Sequence, residues 1–184
     1  MNNIVTINRK KCSSEKLTDL EWANIVQQDW RSLMIRTLNL SRVRLDMIAD
    51  LRNCHCPGGI KFEDDLDSQH VINLLNRPGL IALDAGIACY LYNNPDYIPQ
   101  DWEGRTILFP GTIFCHKPYG RFWEPFCLLS MYQTNCDNGS KKWIYTYNTL
   151  HILSEDQLFA YLAEEDRDGA DIITTSFIND IDPE

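Results

Sequence analysis

The first third of the chain carries apolar residues with a helical period. Residues 18–39 place them at spacings of three and four, the pattern of one buried helix face. Thr18, with Glu21 three residues later, has the form of a capping box at a helix start. Residues 41–53 repeat the apolar pattern, so an N-terminal helical hairpin is predicted within residues 1–53. The apolar residues of the two predicted helices are Trp22, Ile25, Val26, Trp30, Leu33, Met34 and Leu38, then Val43, Met47, Ile48 and Leu51.

Shorter apolar runs, separated by turn residues, fill the middle of the chain. A Pro-Gly-Gly turn is followed by a predicted short helix that ends at Pro78-Gly79, and "LIAL" then indicates a short strand. The segment "DAGIACYLYNNP" predicts a helix ended by Pro95, with a strand as the alternative. Residues 54–104 are therefore predicted to be a mixed segment of short helices and strands.

Aromatic and β-branched residues dominate the third part of the chain. The runs "RTILFPGTIF", "FWEPFCLLSMYQT" and "KKWIYTYNTLHIL" predict a three-stranded antiparallel meander. Asn-Gly in "CDNGSK" is the preferred centre of a two-residue type I′ hairpin turn. That turn would place Tyr132 opposite Tyr145 and Ser130 opposite Tyr147.

The segment "SEDQLFAYLAEE" after the meander predicts a helix packed against it. Ser154 and Gln157 form a second capping box at its start. The fold class predicted from these elements is α+β, in a single domain that spans residues 1–184. Its parts are a helical part (1–53), a mixed segment (54–104), a sheet plus helix (105–164) and an acidic tail (165–184).

Composition and charge narrow the classes of function. Hydrophobic residues make up 44% and aromatic residues 11% of the 184 residues, which favours a packed core over disorder. The formal net charge is −9, and residues 155–184 hold ten acidic residues against one arginine. Residues 1–52 hold nine basic against six acidic residues, an excess too weak for the basic patch of a nucleic-acid binder.

Targeting signals and membrane spans are not indicated by the sequence. It has no apolar run of about 18 residues, and in the start "MNNIVTINRKK" the basic residues follow the apolar ones. The expectation is a cytoplasmic protein that does not act at a membrane.

The stretch "LRNCHCPGGIKF" raises the question of a metal or thiol site. A zinc site needs about four nitrogen or sulfur ligands, usually as two local pairs. Cys54 and Cys56 could form one pair, but in the other, Cys115 and His116, adjacent strand residues point to opposite faces. We therefore interpret the thiols as packing and loop residues and expect no cofactor. The alternative is a thiol- or zinc-dependent enzyme that uses Cys54, Cys56 and a histidine such as His116.

Two acidic clusters, "FEDDLD" and the pair Asp101 and Glu103, suggest a divalent-cation site as one reading. Neither has the spacing of an EF-hand loop. The first lies before a predicted helix start, where negative charge is favourable without a metal. Solvated carboxylates are the preferred interpretation.

The aromatic residues of the meander suggest a binding role. Trp143, Tyr145 and Tyr147 share one strand face by the period of two, so that face is either buried or left for a partner. Glycine-rich phosphate loops and recognisable catalytic motifs are absent from the sequence. The prediction is a non-enzymatic, cytosolic protein-binding factor, such as an inhibitor, an immunity-type protein or an adaptor, that meets a basic surface on another protein. The candidate partner-binding residues are Trp123, Tyr132, Trp143, Tyr145 and Tyr147.

Overall fold

The central element of the described chain is a seven-stranded mixed sheet. The structure is a computed structural model, and it describes residues 3–12, 23–47, 76–116, 126–137, 139–149 and 156–167. The strands are β1 (Ile4–Thr6), β2 (Ala23–Gln28), β3 (Thr37–Asn39), β4 (Val43–Met47), β5 (Leu80–Ala82), β6 (Thr106–His116), β7 (Phe126–Asn135), β8 (Lys141–Thr149) and β9 (Gln157–Ala163). The α-helices are α1 (Trp30–Met34) and α2 (Ala85–Asn93), and short 3₁₀ turns span Leu40–Arg42, Pro95–Tyr97, Gln100–Trp102 and Glu164–Arg167.

The sheet has the strand order β4-β9-β6-β7-β8. Strands β6 and β9 are parallel, and the other pairs in the sheet are antiparallel. Strand β2 pairs with the second half of β6, and β5 pairs with the last residues of β9. Strands β1 and β3 form a separate antiparallel pair. Neither helix in the described ranges has the length and apolar character needed to cross a membrane.

Strand β9 lies inside the sheet and is buried on both faces. Leu158, Ala160 and Leu162 join a large apolar cluster on the side of the sheet that α2 covers. Phe159 and Tyr161 join a second cluster on the opposite side. The prediction of a packed helix in residues 154–164 is therefore wrong. A strand buried on both faces is a continuous apolar run without alternation, and a short apolar run of this kind does not distinguish strand from helix.

The predicted N-terminal helical hairpin is also wrong. Most of the described part of that segment forms β2, β3 and β4, and α1 has only five residues. Trp30 and Met34, assigned to the buried face, are 65% and 51% exposed. Their spacing does put them on one face of α1, but Asp29 caps that helix at its start and Ile35 ends it. The fold is a mixed sheet with two short helices.

Several elements of the later chain are confirmed. The segment "DAGIACYLYNNP" forms α2, which Asp84 caps and which ends before Pro95. "LIAL" contains β5, and β6, β7 and β8 form the antiparallel meander. The predicted domain boundaries stay a prediction.

The register of the β7–β8 hairpin differs from the prediction by one residue. The N–H of Gly139 donates to the carbonyl of Cys136 at 2.9 Å, and Gly139 has a φ of +78°. The N–H of Cys136 donates to the carbonyl of Ser140 at 2.7 Å, so three residues lie between this bonded pair, in place of the two residues of a type I′ turn. Tyr132 consequently pairs with Ile144, and Tyr145 pairs with Met131. A slip of one residue moves a side chain to the other face, so Tyr132 and Tyr145 lie on opposite faces of the sheet.

Gly111 lies at the irregularity in the middle of β6, where three chain segments meet. Its N–H donates to the carbonyl of Leu83 at 2.9 Å, and its carbonyl accepts from the N–H of Asp29 at 2.8 Å. A Cβ at this position would lie 2.6 Å from the carbonyl carbon of Leu83 and 2.8 Å from the nitrogen of Asp84. Because these are backbone atoms, only glycine fits where the loop before α2 crosses β6.

A buried ion pair holds α2 in place. The Asp84 carboxylate accepts from the backbone N–H groups of Gly86 and Ile87, which begin α2. The Arg9 guanidinium donates to both oxygens of that carboxylate, at 2.8 and 2.9 Å. The Ser32 hydroxyl donates to it at 2.6 Å and also accepts from the Asp84 N–H at 2.9 Å. The helix start, the turn after β1 and helix α1 are thus joined at one buried carboxylate.

A second buried carboxylate, Asp29, joins α1 to the sheet. It accepts from the N–H of Ala82 in β5 at 3.2 Å and from the Arg31 guanidinium at 2.8 Å. Arg31 also bonds to Glu164, which directly follows β9. Burial of these charges is tolerated because each is paired and hydrogen-bonded.

Replacing Asp84 tests whether this pair holds α2. Asp84→Ala leaves the Arg9 charge without its carboxylate and removes the cap of α2, so we expect a loss of about 3–5 kcal/mol in the free energy of unfolding. The measurement is urea unfolding followed by circular dichroism. The matched control is Asp96→Ala, an exposed carboxylate in the loop after α2, for which we expect a change within about 0.5 kcal/mol. A loss below about 1 kcal/mol for Asp84→Ala would contradict this role.

Candidate functional site

The structure does not bring the predicted partner-binding aromatic residues together on one exposed face. Trp143, Tyr145 and Tyr147 alternate along β8 and lie on the side that α2 covers. Tyr132 lies on the opposite side of the sheet, because of the shifted hairpin register. Trp123 lies outside the described residues.

Two of these side chains belong to the core. Trp143 is 8% exposed, and the ring of Tyr147 meets the ring of Phe114 edge-on with centroids 5.2 Å apart. Burial raises the pKa of the Tyr147 phenol above its usual value near 10, with smaller contributions from Tyr145 and nearby thiols. Tyr147 therefore stays neutral at physiological pH and acts as a packing residue.

Tyr145 is the most exposed of the three aromatic residues on β8. It is 36% exposed, and its ring packs edge-on against Tyr92 at the end of α2, with centroids 4.8 Å apart. That contact holds the tyrosine ring in a defined position while part of it stays accessible. A partner protein would meet a pre-positioned aromatic side chain here.

The loop that follows α2 also carries exposed side chains. Residues 94–104 contain two 3₁₀ turns, closed by hydrogen bonds from Ile98 N–H to Pro95 and from Trp102 N–H to Pro99, each 3.0 Å long. Trp102 is fully buried and Ile98 packs against the main core, so the loop is anchored at two points. The backbone between these anchors is consequently held in a fixed conformation.

The exposed side chains next to these anchors are acidic and aromatic. Tyr97 is 44% exposed, and its ring lies nearly parallel to that of Tyr90, with centroids 6.4 Å apart. Asp96 and Asp101 are exposed, and neither carboxylate has an ion-pair or hydrogen-bond partner in the described part of the chain. We call Asp96, Tyr97, Asp101 and Tyr145 the tyrosine–aspartate surface.

An ion pair connects the loop to the strand that carries Tyr145. The ammonium group of Lys141, at the start of β8, lies 3.3 Å from the Glu103 carboxylate. The contact between Tyr92 and Tyr145 makes the same connection from the end of α2. The ion pair joins the loop to β8, and the ring contact joins α2 to the same strand.

The sequence pattern indicated Asp101 only as a candidate cation ligand. It did not lead to the selection of Asp96 or Tyr97. A signal was present, because residues 94–104 carry three acidic residues and no basic one, in a segment with two prolines. The prolines indicate turns, and turns expose their side chains. What the sequence lacked was the position of this loop beside β8.

The alternative metal or thiol site falls mostly outside the part of the chain that the structure describes. Cys54 and Cys56 lie outside the described residues, and His116 ends β6 without a described side chain. Within the described ranges, no three residues of the kind that bind metals come close enough to hold an ion. Burial raises the pKa of the Cys127 thiol, which disfavours the reactive thiolate. The zinc- or thiol-dependent enzyme remains a prediction from the sequence.

Alkaline titration tests the burial of Tyr147. A folded-state pKa above that of the unfolded chain contributes stability below pH about 10, and this contribution is lost as the pH rises through the folded value. Tyr147→Phe should remove one late-ionising phenol from an ultraviolet absorbance titration and lessen the alkaline loss of stability. The wild-type protein is the reference. Loss of an absorbance change near pH 10 in Tyr147→Phe, in place of the late one, would show that Tyr147 is not buried as described.

Comparison with known proteins adds no relative from which a role could be transferred. No protein-family model matches the chain, and neither a curated protein nor a solved structure is similar to it.

Proposed function

We propose that this protein is a non-enzymatic, cytoplasmic factor that binds a basic surface of another protein through the tyrosine–aspartate surface. It would act as an inhibitor, an immunity-type protein or an adaptor. The observation that carries the proposal is the combination of two exposed, packed tyrosine rings with two exposed carboxylates that have no partner in the described part of the chain.

Exposed tyrosines that are already held in place suit a binding surface. Tyrosine offers a large contact area and a hydroxyl group, and it is enriched among the residues that dominate interface energies. Tyr97 and Tyr145 each pack on another tyrosine, so ordering them on binding would cost little side-chain entropy.

The negative charge of this surface and of the whole chain favours a partner with a basic surface. Asp96 and Asp101 are free to pair with cationic groups of another molecule, and the net charge of −9 would attract a basic protein over a longer range. Such complementarity raises the association rate more than it strengthens the final complex, and salt screens it.

The experiment begins with a partner that co-purifies with the tagged protein from its native cell and is then purified itself. Asp96→Asn combined with Asp101→Asn should weaken the complex by about two- to thirty-fold at low salt, because two exposed ion pairs of about 0.2–1 kcal/mol each are lost. Surface plasmon resonance should show most of this loss in the association rate. The matched control is Glu165→Gln, an exposed carboxylate after β9, which should leave the affinity unchanged.

Raising the salt concentration separates the proposal from apolar binding. The wild-type affinity should fall between about 0.05 and about 0.5 M salt, and the double variant should show a weaker salt dependence. A wild-type affinity that does not change with salt would refute the assignment of this surface. An equal loss of affinity in Glu165→Gln would refute it as well.

A further inference from the structure

We propose that residues 168–184 dock on the exposed side of α1 that carries Trp30 and Met34. This surface shares no residue with the tyrosine–aspartate surface, and its occupant is a segment of the same chain that follows the described residues. Three observations support this occupant. The described chain stops beside α1, two large apolar side chains are exposed there, and the segment is negatively charged where exposed basic residues border α1.

Two ion pairs fix the place where the described chain stops. Strand β9 is followed by the Glu164–Arg167 turn, and the Glu164 carboxylate accepts from the guanidinium of Arg31 on α1. In the same turn, Asp166 accepts from the Arg42 guanidinium at 2.7 Å. Both arginines belong to the N-terminal part of the chain, so the turn is held against that part. The segment that follows the turn therefore starts next to α1.

An exposed apolar pair lies on the helix at this place. Trp30 and Met34 are 65% and 51% exposed, and their spacing of four residues makes them neighbours on the helix surface. Met34 also lies three residues after Arg31, so it neighbours the arginine that binds Glu164. Covering these two side chains with other apolar groups would be favoured by the hydrophobic effect.

The composition and length of residues 168–184 suit this surface. The segment has five acidic residues and no basic one, and its large apolar residues are Ile172, Ile173, Phe177, Ile178 and Ile181. The first of these is five residues beyond the described chain, a span of up to about 17 Å when extended. Helix α1 is only about 7.5 Å long, so the apolar residues of the segment can reach Met34 and Trp30.

Exposed basic residues border α1 and complement the acidic segment. Arg36 follows the helix, and Lys11 lies in the turn after β1, which is joined to α1 because Arg9 donates to the carbonyl of Ser32 at 2.6 Å. Arg36 and Lys11 are exposed, and neither has a carboxylate partner among the described residues. Opposite charge would therefore guide the segment to this side of the molecule.

The experiment uses the full chain with the photoreactive residue benzoylphenylalanine in place of Phe177. After irradiation and proteolysis, mass spectrometry identifies the residues to which this position is cross-linked. The expected product is a cross-link within one chain, to the peptide that contains Trp30 and Met34. A denaturing gel run before proteolysis separates this product from cross-links between two chains.

Two aspartate substitutions test the surface itself. Trp30→Asp removes an apolar contact and adds a like charge, so the cross-linked fraction should fall at least about threefold. Aspartate is favourable in the first turn of a helix, so α1 should persist. The matched control is Met47→Asp, because Met47 is 47% exposed and pairs with Leu158, roughly 20 Å along β9 from Glu164. This variant should leave the cross-linked fraction unchanged.

Several outcomes would overturn the proposal. They are the absence of a cross-link to α1, a cross-link found only between two chains, and a cross-linked fraction that Trp30→Asp does not lower. An equal loss in Met47→Asp would also overturn it, because the added negative charge alone would then explain the effect. The site of the cross-link in the chain that keeps Trp30 decides the proposal even if a variant loses structure.

Discussion

The buried carboxylate of Asp84 joins segments that are far apart in the sequence. Arg9 comes from the turn after β1, Ser32 from α1, and the bonded N–H groups from the start of α2. A charge removed from water in this way is stable only while its partners stay in place, so the contact fixes the relative positions of all three segments. The same junction brings Leu83 against Gly111, where the backbones approach too closely for any side chain.

This junction determines where the exposed surface can form. Because Asp84 fixes the start of α2, the helix lies over the sheet face that carries Trp143 and Tyr147, and its end reaches β8 at Tyr145. The loop after α2 then emerges beside that strand. The buried face of α2 carries Ile87 and Leu91, and the loop after the helix exposes Tyr97.

The sequence predicted those elements whose signals are local. The cap at Asp84 and the stop at Pro95 define α2, and the β-branched and aromatic residues define the meander. It failed for β9 and for the N-terminal segment, where local signals compete with long-range pairing. In "QLFAYLA" the capping box favours a helix, but pairing with β4 and β6 and burial of both faces in apolar clusters favour a strand. The hairpin loop shows the same limit on a smaller scale, because Asn-Gly is compatible with more than one loop length. A difference of one residue in the loop shifts the register and so determines on which face of the sheet Tyr132 lies.

The position of β9 also has a consequence for biosynthesis. This strand is followed by only the short Glu164–Arg167 turn in the described chain, yet it lies between β4 and β6 in the sheet. During translation β4 and β6 leave the ribosome before the strand that lies between them, and their backbone edges on that side stay unpaired until residue 163 has emerged. The sheet therefore closes late, around contacts that span most of the chain, which is the topology of a slow folder that depends on protection of its nascent state.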